Sequence, residues 1–109
     1  YAWKSYLGHR PGAPEPRAYA VPARRTSLRG LAPAWIGIGD LDLFHEEALA
    51  YGDRLQASGV ACEIYEVKGM YHGADAARPD APQMRAFRAE ILRILRTFLD
   101  QDQAISSVD

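Results

Sequence analysis

A single cysteine in 109 residues leaves the chain without an internal disulfide and without a cysteine-based zinc site. That residue, Cys62, lies in an apolar stretch where a small buried side chain is its simplest role. A lone thiol fits a reducing compartment, so a cytoplasmic location is the expectation. No apolar run approaches the roughly 18 residues that a membrane-spanning helix needs. The start carries no basic segment followed by an apolar core, so no signal peptide is expected. Tyr1 in place of an initiator Met suggests a processed chain, a trimmed one or a segment of something longer. Neither sign of charge is in surplus: the net charge is −1, which removes the electrostatic basis for binding nucleic acid or an anionic membrane. No Gly-rich phosphate loop is present. Asp40-Leu41-Asp42 fails as the start of an EF-hand, because the fifth and twelfth positions hold Phe44 and Tyr51.

What remains is the composition of a globular chain, 48% hydrophobic and 25% charged, long enough for one compact unit with a modest core. Residues 1–33 read as a short aromatic helix over Tyr1 to Gly8 and a proline-rich connection. Pro11, Pro14, Pro16 and Pro22 fix φ and remove donors there, so no regular element is expected from His9 to Pro22. Residues 34–101 read as strand, helix, strand, helix. Ala34 to Ile38 is a short apolar run bounded by Pro33 and Gly39, as in a strand buried on both faces. His45 to Ser58 has apolar residues at helical spacing, acidic residues at its start and Gly59 as a natural terminator. Ala61 to Val67 is the second strand, its two glutamates suggesting a place at or near a sheet edge. Asp80 is expected to cap a last helix whose core stripe is Met84, Phe87, Ile91, Leu95 and Phe98, joined by Leu92 and Leu99. Residues 102–109 read as a polar, frayed tail.

This order predicts an α/β fold in which two parallel strands are joined by a helical crossover. Two strands make a poor parallel sheet by themselves, so partner strands are expected from elsewhere. In such sheets the reactive groups gather on loops beyond the C-terminal strand ends. One such loop carries Asp40 and Asp42, followed by His45, Glu46 and Glu47; the other carries Tyr71, His72 and Asp75. Side by side they would bring a carboxylate to an imidazole, the arrangement in which the acid orients the base. Each residue also has a plain reading. A carboxylate after a strand is usually a turn former, and His45 at a helix start reads as neutral and surface-facing. His9, in the proline-rich stretch, carries no assignment.

The segment Ala32-Pro33-Ala34-Trp35-Ile36-Gly37-Ile38-Gly39-Asp40-Leu41-Asp42-Leu43-Phe44-His45-Glu46-Glu47 resembles the acid-bearing part of the hormone-sensitive-lipase-like esterases of the α/β-hydrolase superfamily. Gly69-Met70-Tyr71-His72-Gly73 is similar to that family's histidine loop. The likeness extends to Trp3-Lys4-Ser5-Tyr6-Leu7-Gly8 and to Tyr19 through Arg24. It implies the C-terminal portion of an α/β-hydrolase fold, two parallel strands with flanking helices and the N-terminal strands absent. It also implies carboxylic ester hydrolysis, with Asp42 and His72 as the acid and histidine of a triad and no metal or organic cofactor. The nucleophile elbow Gly-x-Ser-x-Gly and the His-Gly-Gly oxyanion segment do not occur in these residues.

The chain alone is therefore expected to be catalytically silent. Its partners would be an ester substrate in the complete enzyme and a second copy, in a homodimer or strand-exchanged oligomer. A rival from another class is a non-catalytic hydrolase remnant whose exposed sheet edge serves protein interaction or dimerisation. A free-standing metal-dependent hydrolase is a third reading, weakened by the sequence distance between the three histidines.

Overall fold

The computed structural model describes residues 2–14, 17 and 20–106, with side chains through residue 100. Tyr1, Pro16 and Tyr19, and the end of the tail from Ser107, lie outside the described residues. The first helix, α1, spans Ala2–Leu7. Leu7 is buried, while Trp3 and Tyr6 stand exposed and meet edge to face with centroids 6.1 Å apart. The described residues of the proline-rich connection end in a short 3-10 helix at Pro22–Arg24. Long basic side chains hold it: Arg17 donates to the Leu7 carbonyl at 2.7 Å and Arg24 to that of Ala13 at 3.1 Å.

Strand β1 is Ala34–Gly39 and strand β2 is Cys62–Val67. They pair in parallel, with Ala34 opposite Cys62 and Gly39 opposite Val67. Helix α2, His45–Ala57, makes the connection. Glu46 and Glu47 occupy its first turn, where the helix dipole favours negative charge. Its end is a Schellman turn. Gly59 takes φ +78°, its N–H reaches the Gln56 carbonyl and the Val60 N–H reaches that of Leu55, both at 3.0 Å. Val60 and Leu55 then pack together with Leu28 in one buried cluster, beside half-buried Ala34 and Cys62.

Alternation along the strands sorts the two faces. Ile36 and Ile64 face α2 and lie against Gly52, where an added Cβ would stand 2.6 Å from the Ile64 Cδ1. Only glycine lets the helix approach that closely. Trp35 and Tyr65 face the other way and stack with Phe87 at centroid distances of 6.0–6.3 Å. Phe87 belongs to helix α4, Pro82–Ser106, which together with Val67, Met70, Ala74 and Met84 forms the second buried cluster.

Three details differ from the expectations drawn from the sequence. The loop after β2 contains a short helix, α3, at Ala74–Ala77. α4 opens on Pro82 and continues to Ser106, with the Ala81 carbonyl accepting the first-turn N–H groups of Met84 and Arg85. Its buried stripe is Met84, Phe87 and Ile94, with Ile91 and Phe98 half-buried; Leu92, Leu95 and Leu99 are exposed. The spacing 84, 87, 91, 94, 98 alternates three and four residues and so stays on one face. Leu95 falls beside that face rather than on it.

Candidate active site

Both loops named from the sequence leave the C-terminal ends of the strands, and three hydrogen bonds hold them together, two of them between main-chain groups. Asp40 N–H donates to the Val67 carbonyl at 3.2 Å, and Leu41 N–H to that of Met70 at 3.1 Å. The third tie uses a side chain: Asp40 Oδ1 accepts the Gly69 N–H at 2.6 Å. Asp40 is therefore the brace between the loops. The close approach explains why β1 ends in glycine. A Cβ on Gly39 would collide with the Met70 carbonyl oxygen. Gly69 and Gly73 flank the histidine at φ +74° and +73°, the left-handed region where a side chain would be strained.

Asp42 divides its two oxygens between two tasks. Oδ1 accepts the Phe44 N–H at 2.9 Å, the Asx-turn bond that carries the chain into α2. Oδ2 lies 3.0 Å from His72 Nδ1. Turn former and imidazole partner are thus one residue. The Asp42 side chain is 6% exposed and that of His72 63%. The Phe44 N–H holds the Asp42 carboxyl below the usual carboxylate range, helped by the bond to His72 and opposed by burial. Phe44 also sets its ring edge to face against His72, centroids 5.4 Å apart. The bond to Asp42 engages Nδ1, so Nε2 is the ring nitrogen that it leaves over, and Leu41, Leu43, Phe44 and Tyr71 of the same two loops are exposed.

His45 departs from the neutral, surface-facing reading. Its side chain is only 18% exposed, and Nε2 stands 2.6 Å from Glu66 Oε2 on β2. The Glu66 carboxylate raises the His45 pKa above its ordinary value, burial opposing and Glu46 adding a weaker pull. The sequence signal was present but faint: Glu66 shares its strand face with Ile64 and Cys62, so it points at α2 and not at solvent. Glu63, on the other face, meets Arg93 of α4 at 2.8 Å. Among the described residues no group of three or more His, Cys, Asp or Glu could hold a metal ion, and no helix is long and apolar enough to cross a membrane.

Comparison with known proteins bears on the same region. A family model described as the alpha/beta hydrolase fold matches residues 1–76, a stretch that includes Asp42 and His72. Esterase LipI of Mycobacterium tuberculosis is 32% identical over 65 residues, covering 60% of this chain and 19% of its own length. The structure of esterase LipW from Mycobacterium marinum superposes with a TM-score of 0.65 at 35% identity, over 78% of this chain and 26% of that one. A bacterial heroin esterase gives a TM-score of 0.76 at 32% identity, over 86% of this chain and 29% of that one. The chain therefore spans less than a third of the length of these relatives. With the family model, the esterase relatives and the paired parallel strands in agreement, the chain belongs to the α/β-hydrolase family, in its hormone-sensitive-lipase-like branch.

Proposed function

We propose that this chain supplies the acid and the base of a carboxylic ester hydrolase whose serine and oxyanion donors lie outside these 109 residues. The observation that carries the reading is the 3.0 Å approach of Asp42 Oδ2 to His72 Nδ1, made by two loops at adjacent strand ends. In this reading His72 Nε2 takes the proton from the serine hydroxyl as its oxygen attacks the ester carbonyl. The same nitrogen returns the proton to the departing alcohol, and a second cycle with water releases the acid. Asp42 keeps the Nδ1 proton in place and stabilises the imidazolium that forms at each step. Exposed Leu41, Leu43, Phe44 and Tyr71 supply an apolar rim suited to an ester's hydrocarbon part.

Activity, substrate and location all belong to the complete protein in this proposal, and a lone cysteine accords with the cytoplasm. The exposed edges of a two-stranded sheet and the exposed Leu92, Leu95 and Leu99 support pairing with further strands or a second copy, the surface that an interaction module would also use. A fluorophosphonate probe, which phosphonylates activated serines, tests whether this chain holds a nucleophile of its own. The chain alone is expected to remain unlabelled. Labelling of one of its own serines would mean that a nucleophile had been overlooked and would overturn the division of the triad.

A further inference from the structure

We propose that His45 and Glu66 act as a clasp that positions Asp42 against His72. The pair sits where the acid loop passes into α2. His45 follows Asp42 by three residues, and its backbone N–H donates to the Asp42 carbonyl at 3.1 Å. Glu66 is the last residue but one of β2, opposite Ile38 in the register. Their 2.6 Å bond therefore joins the far end of the acid loop to the strand that leads into the histidine loop. The Asp40 to Gly69 bond joins the near end. Asp42 lies between these two anchors, pinned on both sides. Without the second anchor the segment from Leu41 to Phe44, whose three apolar side chains are exposed, keeps the Asp40 bond at its near end and only the packing of α2 on β2 beyond its far end.

The groups that face His45 are known from each element around it: Glu66 from β2 at 2.6 Å, Glu46 from α2 at 3.6 Å, and the Asp42 carboxylate, which feels the His45 charge. A neutral His45 still donates through Nε2–H, while a protonated one makes the bond charge-assisted and stronger. His45 and Glu66 are positioning residues: they touch neither substrate nor the reacting atoms and act through Asp42. Their functional weight rests on the ester-hydrolase reading, but their effect on the Asp42–His72 bond can be measured without any reaction.

The experiment is nitrogen NMR of the 15N-labelled chain in mildly alkaline buffer, where an ordinary imidazole is neutral. The ring shifts of His72 tell which nitrogen carries the proton, and a carboxylate acceptor holds it on the nitrogen that it faces. The wild-type chain is expected to hold the proton on Nδ1, toward Asp42. His45→Ala and Glu66→Ala should each lose that majority, and the double variant should lose no more than either single one, because both remove one bond. Glu66→Gln, which keeps an acceptor oxygen, should preserve most of it. Melting followed by circular dichroism reports folding of each variant; Glu66 is half exposed, so Glu66→Ala carries the test should His45→Ala fail to fold. A wild-type Nδ1–H majority that folded variants leave untouched, with only the melting point lowered, would overturn the clasp alone. A wild-type His72 protonated on Nε2 would overturn both the clasp and the triad reading.

Discussion

Replacing Gly39 by alanine should separate the two loops. The new Cβ would be driven into the Met70 carbonyl oxygen and stand 2.7 Å from the Met70 Cβ, so backbone and not a flexible side-chain tip has to give way. Forcing one methyl group into a filled site costs about 1–3 kcal/mol. The displacement also strains the Leu41 to Met70 bond and the Asp40 to Gly69 bond, at 3.1 and 2.6 Å; each is worth about 1 kcal/mol net. With both bonds lost the expected cost is about 3–5 kcal/mol, a large part of the roughly 5–15 kcal/mol that stabilises a domain. Urea unfolding followed by circular dichroism measures it, with the midpoint falling and the slope unchanged. The Asp42 to His72 bond should be lost in the same variant, since both loops hang on this contact. A variant within about 0.5 kcal/mol of wild type would refute the claim that Gly39 sets the approach of the loops.

On α4, Ile94→Ala should cost about 2–5 kcal/mol, as buried aliphatic deletions do, while the neighbouring Leu95→Ala should change stability by less than about 0.5 kcal/mol; urea midpoints decide, and equal costs would place the stripe on the wrong face. Stability should fall toward both acid and alkali. The Asp42 carboxyl is lowered in the fold, so its contribution is present above the ordinary value of 3.8 and is lost as pH falls through the folded value. His45 is raised, so its contribution is complete below the ordinary value of 6.5 and is lost as pH rises through the folded value. Urea midpoints across pH should accordingly be best between 3.8 and 6.5 for these two groups, and Glu66→Ala should flatten the alkaline side alone.

The strands and α2 were legible because short apolar runs, a terminating Gly59 and an acidic helix start all agree with the fold they adopt. Asp42 and His72 were legible as a pair because parallel neighbours force their loops together. The stripe on α4 was read one residue off at Leu95, since an apolar helix offers several faces and only tertiary packing chooses among them. Asp40 was read as a family position, but its work as a brace depends on the Gly69 N–H, a backbone group that no side-chain pattern reveals. The His45 to Glu66 pair spans 21 residues and two elements. Helix-dipole reasoning about His45 missed it because a carboxylate from the neighbouring strand outweighs the helix end.

The central claim, that Asp42 and His72 complete a serine hydrolase site built elsewhere, is met most directly by complementation. The chain would be joined to an N-terminal segment of a related esterase that carries His-Gly-Gly and Gly-x-Ser-x-Gly, and hydrolysis of a short-chain p-nitrophenyl ester would be followed. The account predicts that activity appears on joining and falls by several orders of magnitude with His72→Ala, since triad members act as a unit. Restored hydrolysis that survives His72→Ala undiminished would contradict it.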